Sequence, residues 1–155
     1  MRNVGSTFIR HYYGIDTALK LLEFAVNGNE AVTSQNVIEE TFFKLLYLET
    51  ERLFGKTGKG IVKEKFRSHP EKYQKVKAYM TKFLIGGINA GSIVLLENNE
   101  HIIHEFVEIA YHYSLLPNDA LIAATCKYHG IQKIVTFDAN FKDVDYLNIV
   151  KPEQI

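Results

Sequence analysis

The sequence predicts an α/β protein, a three-layer α/β/α sandwich with a central parallel sheet. Short runs of apolar and β-branched residues alternate with longer segments whose apolar residues recur at helical spacing. Strands separated by helices need crossover connections, which favour parallel pairing and a sheet covered on both faces. With 155 residues, of which 46% are hydrophobic, the chain has the size and composition of one soluble domain. We therefore expect a single domain over residues 1–155.

Five short runs, rich in β-branched and apolar residues, predict the strands of this sheet. In chain order they lie at residues 3–10, 31–33, 92–96, 133–137 and 147–150. The third run, SIVLL, is apolar enough to predict a buried strand. The fifth run is short and is stopped by Pro152.

Capping residues predict where the helices begin, and glycine predicts where they end. The predicted starts are Asp16 or Thr17, Ser34, Ser68, Asn98 or Asn99, and Pro117. Predicted ends lie at Asn27-Gly28-Asn29, near Gly55, at Gly86-Gly87 and at Gly130. The start at Ser68 has the form of a capping box with proline in the first turn. After Asp119 the last helix is apolar on every side, which is typical of a buried helix.

The net charge is zero, but the basic residues are concentrated in a basic segment at residues 52–82. This segment holds ten Lys or Arg and two acids, a net charge of +8, which leaves −8 for the rest of the chain. One interpretation is a pair of solvated helices with lysine-rich surfaces. The other is an arm that binds nucleic acid, with bases stacking on aromatic residues between the lysines. The aromatic candidates are Phe66, Tyr73 and Tyr79, and the candidate phosphate contacts are Lys56, Lys59, Lys63, Lys65 and Arg67.

Two features predict a cytoplasmic protein with no membrane partner. The sequence has neither an apolar run of the ~20 residues that span a bilayer nor the apolar centre of a signal peptide. Cys126 is the only cysteine, so an intrachain disulfide is impossible, and it lies among core-like residues. We expect a buried structural thiol in a reducing compartment.

Three acids from distant parts of the chain are predicted to meet at one edge of the sheet. Asp138 directly follows the fourth strand, Asp119 begins the helix before that strand, and Glu40 lies two turns into the helix after the second strand. Ligands of α/β sheets bind beyond the C-terminal ends of the strands. Clustered carboxylates repel one another unless a cation holds them, and oxygen ligands suit Mg²⁺ or Mn²⁺. The sequence therefore predicts a divalent metal site, in which the metal and a helix N-terminus compensate Asp119.

Each acid also has a purely structural interpretation. Asp119 could cap its helix, and Asp138 could be an ordinary turn acid at a strand end. Glu40 or its neighbour Glu39 could be a solvated helix residue. Taken singly, none of the acids decides between the two interpretations.

Other candidate sites have less support. His101 and His104 have a spacing that suits zinc, but no further ligand is apparent. The glycines of FGKTGKG do not follow the P-loop order and predict a flexible turn between helices. Ser6 has no recognisable partners for a hydrolase triad.

Three motifs in this order, TSQNVIEETFFKLL, LLPNDALIAATCKYHGI and KIVTFDANF, resemble those of the PIN domain family. The likeness is strongest to the VapC-type toxins, which are ribonucleases of prokaryotic toxin–antitoxin pairs. It covers nearly the whole chain, and the basic segment corresponds to an enlarged middle region. The resemblance implies that Glu40, Asp119 and Asp138 bind Mg²⁺ or Mn²⁺ and that the protein cleaves RNA. It also implies a homodimer, with a small antitoxin protein as a further partner.

The first strand departs from the family pattern. Family members usually have an acid there, in forms such as DSTFI, and the same frame in this chain is GSTFI, which places Gly5 at the expected aspartate. Asn140 lies where a second acid often follows Asp138, and its amide oxygen could still bind the metal or orient a water. The resemblance thus predicts a metal-dependent endoribonuclease with activity reduced or lost through Gly5, whether natural or engineered. The competing hypothesis is a non-catalytic RNA- or partner-binding PIN module.

Overall fold

The computed structural model of the chain describes residues 6–10, 20, 23–24 and 27–154. Within these residues five strands form one sheet, which confirms the predicted strands. They are β1 (Ser6–Ile9), β2 (Glu30–Ser34), β3 (Ile93–Leu96), β4 (Lys133–Val135) and β5 (Asn148–Val150). Gly5 and the helix start at Asp16 or Thr17 lie outside the described residues.

All strand pairs are parallel, and the strand order is β3-β2-β1-β4-β5. The chain places β2 and β3 on one side of β1 and then adds β4 and β5 on the other. Between β1 and β4 the strand order therefore reverses, and such switch points are where open α/β sheets bind ligands. With helices flanking the sheet, this is the predicted three-layer α/β/α sandwich.

Six α-helices lie wholly within the described residues. They are α1 (Gln35–Phe54), α2 (Lys59–Ser68), α3 (Gln74–Tyr79), α4 (Gly86–Asn89), α5 (Glu100–Tyr113) and α6 (Pro117–His129). Turns of 3-10 helix lie at Pro70–Tyr73, Ala139–Asp143 and Pro152–Gln154, and a π-helical turn lies at Met80–Ile85. None of the helices in the described part of the chain is long and apolar enough to cross a membrane.

Most of the predicted helix boundaries are confirmed. Ser34 precedes α1, and Gly55 ends it in the left-handed conformation, with φ +63°. The side chain of Asn99 accepts the N–H of Ile102 at 3.1 Å and so caps α5. Gly130 ends α6 with φ +67°, a backbone conformation that favours glycine.

Two predicted boundaries, the start at Ser68 and the end at Gly86-Gly87, are wrong. Ser68 is the last residue of α2, and the following 3-10 turn has His69 as its N-cap with no side-chain cap hydrogen bond, so there is no capping box. Gly86 and Gly87 continue the helical path as part of α4. A Cβ at Gly87 would lie only 3.0 Å from Cδ1 of Ile93, so this glycine allows close packing against β3.

The central strands and the apolar helix α6 contribute fully buried residues to the core. Phe8, Val32 and Ile134 are fully buried in the sheet. In α6 the prediction of a buried helix is confirmed, and Cys126 is a fully buried free thiol whose pKa is raised by burial. The predicted burial of the third strand is wrong in part, because β3 is the edge strand and Leu95 is 40% exposed.

Candidate active site

Charged side chains meet at one edge of the sheet. They come from the ends of β1 and β4 and from the starts of α1 and α6. Arg10 directly follows β1, and its backbone N–H donates to the carbonyl of Val135 at the end of β4, 3.0 Å away. Asp138 comes shortly after β4. Glu40 lies in the second turn of α1, and Asp119 lies in the first turn of α6. The three predicted acids, here called the acid cluster, thus meet around Arg10.

The guanidinium of Arg10 contacts all three carboxylates. Its Nη2 lies 2.7 Å from Oδ1 of Asp119. Nη2 and Nε donate to Oε1 and Oε2 of Glu40 at 3.2 and 3.4 Å, so both oxygens of this acid are engaged. Nη1 donates to Oδ2 of Asp138 at 3.3 Å. One arginine therefore joins acids that are widely separated in the sequence.

Arg10 and Asp119 are the buried members of this arrangement. The side chain of Arg10 is 6% exposed and that of Asp119 is 8% exposed, and the guanidinium lies 5.3 Å from the ring centroid of Phe141. Burial alone would lower the pKa of Arg10, but the hydrogen bond to Glu40 and the charges of the acid cluster raise it above its ordinary value. A charged Arg10 therefore compensates the buried carboxylate of Asp119. The sequence analysis predicted that a metal ion and a helix N-terminus would do so.

The structural interpretations of two acids can be tested directly. The N-cap of α6 is Leu116, and no side chain caps this helix, so the capping interpretation of Asp119 is wrong. Oδ1 of Asp138 accepts the N–H of Asn140 at 2.8 Å and caps the 3-10 turn that follows. Nδ2 of Asn140 also donates to Oδ2 of Asp138 at 3.3 Å. Asp138 is therefore a turn acid and a member of the acid cluster at once.

Glu40 is held in place by amides that the sequence did not single out. Nδ2 of Asn118 donates to Oε2 of Glu40 at 3.5 Å, and Oδ1 of Asn118 accepts from Nδ2 of Asn36 at 2.8 Å. The hydroxyl of Ser34 donates in turn to Oδ1 of Asn36. This chain of hydrogen bonds links the start of α1 to α6 and orients Glu40, whereas the neighbouring Glu39 is exposed.

Comparison with known proteins agrees with the motifs and the fold. A family model described as the PIN domain matches residues 5–147, which is most of the chain. The chain belongs to the PIN domain family. It is 32% identical over 150 residues to Ribonuclease VapC6 of Methanocaldococcus jannaschii, an alignment that covers 94% of this chain and 93% of that protein. It is also 49% identical over 57 residues to Ribonuclease VapC2 of the same organism, which covers 37% of this chain and 38% of that protein.

The described part of the first strand of this PIN domain places Arg10 at the edge that carries the site. Ser6 pairs with Glu30 at the start of β2, and Ile9 pairs with Val135 at the end of β4. Gly5, where the motif frame expects the family aspartate, lies outside the described residues. Arg10 directly follows Ile9, the last residue of β1.

The oxygen donors of the site suit a hard divalent cation, but their arrangement suits Arg10. Carboxylate and amide oxygens are the ligands that Mg²⁺ and Mn²⁺ prefer. Among the residues that the structure describes, no three His, Cys, Asp or Glu side chains are placed to share one metal ion. The guanidinium lies between the carboxylates instead, with nitrogen–oxygen distances of 2.7 to 3.4 Å. The chemistry of the acids therefore fits the metal, while the position of Arg10 opposes it.

The two histidines of α5 are the other candidate metal ligands that the sequence offered. His101 and His104 are exposed, and the ring of His101 stacks on Tyr128 with centroids 6.0 Å apart. In the described residues they belong to no group of three metal-binding side chains.

The predicted phosphate contacts lie on α2 and in the loop before it. Four of these side chains are exposed: Lys56, Lys59, Lys63 and Arg67. Lys65 is less accessible, because it pairs with Glu64 at 3.1 Å and its Nζ lies 5.4 Å from the ring centroid of Phe54.

The prediction that bases stack on Tyr73 is wrong. This side chain is 2% exposed, and its hydroxyl lies 2.7 Å from Oγ1 of Thr50 on α1. Its ring meets the half-buried ring of Phe66 edge-on, with centroids 5.2 Å apart. Phe66 and Tyr73 thus help to fix α2 and the following turn against α1.

Proposed function

We propose that this PIN domain is a metal-dependent endoribonuclease of the toxin–antitoxin type that acts in the cytoplasm. The main support is the convergence of Glu40, Asp119 and Asp138 at the switch point of the sheet, in a chain that matches the PIN family over residues 5–147. The two relatives described above are both named ribonucleases. The oxygen-donor chemistry of the acids and the family relationship thus support the same function.

The acid cluster would hold Mg²⁺ or Mn²⁺, with the exposed amide of Asn140 as a further oxygen ligand or as a group that orients a water. A divalent metal supplies charge stabilisation at a phosphate and a more acidic bound water. Asn118 and Asn36 keep Glu40 directed at the site through their hydrogen bonds. We propose that activity is reduced, because the first-strand acid of the family is absent from both position 5 and the end of β1.

Cleavage of structured RNA tests this function. We expect slow cleavage in Mn²⁺ or Mg²⁺ that stops when EDTA removes the metal. Asp138→Asn should abolish it, because the variant removes a carboxylate charge from the site. Asp143→Asn changes an exposed acid on the same turn and should leave the rate unchanged. Cleavage that persists in EDTA or in Asp138→Asn would contradict the metal-dependent mechanism.

A second candidate is the non-catalytic RNA- or partner-binding module. It is favoured by Arg10, which already compensates the three carboxylates without a metal. In that case the chain binds RNA in a salt-dependent manner, and no variant cleaves it.

The exposed lysines of α2 are proposed to contact RNA phosphates. In a Lys59→Gln/Lys63→Gln variant we expect weaker binding of single-stranded RNA and a shallower slope of log K against log salt, by about 0.7 for each phosphate that the variant no longer neutralises. The control is Lys133→Gln, because Lys133 is exposed at the start of β4, at the other end of the strand from the acid cluster. Equal salt slopes in all three proteins would show that α2 does not contact the RNA.

We also propose a homodimer and an antitoxin partner. Three apolar residues at helical spacing on α5 are exposed, namely Ile103 by 47%, Val107 by 45% and Tyr111 by 84%. This stripe supports a protein partner on α5. A sedimentation mass of one chain for the purified protein would exclude the homodimer.

A further inference from the structure

Arg10 has no role in the proposed reaction, although it lies at the centre of the acid cluster. Its backbone is held by the hydrogen bond to Val135, and its guanidinium lies against the ring of Phe141. With a side chain that is 6% exposed, it is packed into the site and is not a surface residue lying across it.

The guanidinium uses the oxygens that a metal ion needs. Both oxygens of Glu40 accept N–H groups of Arg10. Both oxygens of Asp138 are also engaged, one by Asn140 alone and the other by Asn140 and Arg10. A magnesium ion holds its oxygens at about 2.1 Å. This is closer than the 2.7 Å between Arg10 and Asp119, so the cluster must contract around an ion in the space that the guanidinium now fills.

We propose that Arg10 is an internal competitor of the divalent metal, so that the acid cluster holds either the guanidinium or the ion. This inference rests on the proposed metal-dependent function. The side chains of Glu40 and Asp138 are 36% and 27% exposed, so these two carboxylates are accessible to an ion from solvent while Arg10 is buried. Only molecules in which Arg10 has left the acids can bind the metal. The apparent metal affinity is therefore the intrinsic affinity multiplied by the fraction of such molecules.

Mn²⁺ binding to the intact chain, measured by titration calorimetry and by the EPR signal of free Mn²⁺, tests the proposal. We expect a dissociation constant at least about tenfold lower in Arg10→Gln than in the wild type, because the competitor is removed. Arg52→Gln is the matched control. Arg52 also pairs with a carboxylate, with its Nη2 2.6 Å from Oε1 of Glu49, but its side chain is 53% exposed and lies outside the acid cluster. It should bind Mn²⁺ as the wild type does.

Arg10→Gln leaves three carboxylates without their cation, so its folding is followed as well. Thermal unfolding is recorded across a Mn²⁺ titration for the wild type, Arg10→Gln and Arg10→Lys. The lysine variant keeps the charge, but its ammonium lacks the planar fork that bridges several carboxylates. A saturable rise in Tm that is larger in either variant than in the wild type supports the competition. Equal responses in all three proteins overturn it.

The outcomes separate this proposal from the proposed function. If the wild type binds Mn²⁺ as tightly as Arg10→Gln and cleaves RNA, the competition is overturned and the enzyme stands. If no variant binds Mn²⁺ and none cleaves RNA, the competition is overturned and the metal-dependent function loses its support as well.

Discussion

Replacing Arg10 by aspartate is expected to raise Mn²⁺-dependent RNA cleavage by at least about tenfold, the scale on which groups at metal sites affect activity. The substitution removes the guanidinium from the acid cluster and adds a fourth carboxylate at the end of β1, where Arg10 now lies. The added carboxylate attracts a divalent ion twice as strongly as it attracts a monovalent cation at the same distance. Initial rates on a structured RNA, at several Mn²⁺ concentrations and with EDTA, measure the effect.

Two matched variants show which part of the change matters. Arg10→Asn has almost the same shape as Arg10→Asp without its charge, so it isolates the loss of the guanidinium. Gly5→Asp adds the acid at the position that the family motif indicates. Because Arg10 directly follows β1 and already contacts the acid cluster, we expect the larger gain from Arg10→Asp. A larger gain from Gly5→Asp would show that the motif frame, and not the strand register, locates the missing acid. No gain in any variant would favour the non-catalytic module.

The residues that the sequence predicted at the site are those whose position follows from strand order. Asp138 after β4, Asp119 at the start of α6 and Glu40 early in α1 are all brought to one edge, because parallel strands end together. The same rule applies to Arg10, which is the last residue of the first predicted strand, but Arg10 is not an acid and was not among the predicted site residues. A search for charged residues of either sign at strand ends would have found it.

What the sequence could not predict depends on tertiary contacts. Gly86-Gly87 is a common helix stop, but here a buried Gly87 next to Ile93 lets the helical path continue against β3. The sequence offered Tyr73 as a stacking residue between lysines, but its burial and its contact with Thr50 show that it is a core residue. The positioning of Glu40 by Asn118 likewise joins residues far apart in the chain, with no local pattern to indicate it.

Asp119→Asn is expected to destabilise the protein in the absence of metal by roughly 3 kcal/mol. This is near the lower end of the range for a broken buried ion pair, because Glu40 and Asp138 still face the guanidinium. The side chain is 8% exposed and lies 2.7 Å from Nη2 of Arg10, and the amide keeps its shape but not its charge. Urea unfolding in EDTA should show a lower midpoint with an unchanged slope.

The sign of this effect distinguishes the two explanations for the buried carboxylate. If the acids were held together only by a metal, removing one charge in EDTA would relieve their repulsion, and Asp119→Asn would be as stable as the wild type or more stable. If Arg10 is their counter-ion, the same change leaves a buried guanidinium with less compensation and the stability falls. Asp143→Asn, at an exposed acid, is the control and should stay within about 0.5 kcal/mol of the wild type. A stability loss confined to Asp119→Asn would establish that the acid cluster is organised around an arginine of its own chain before any metal binds.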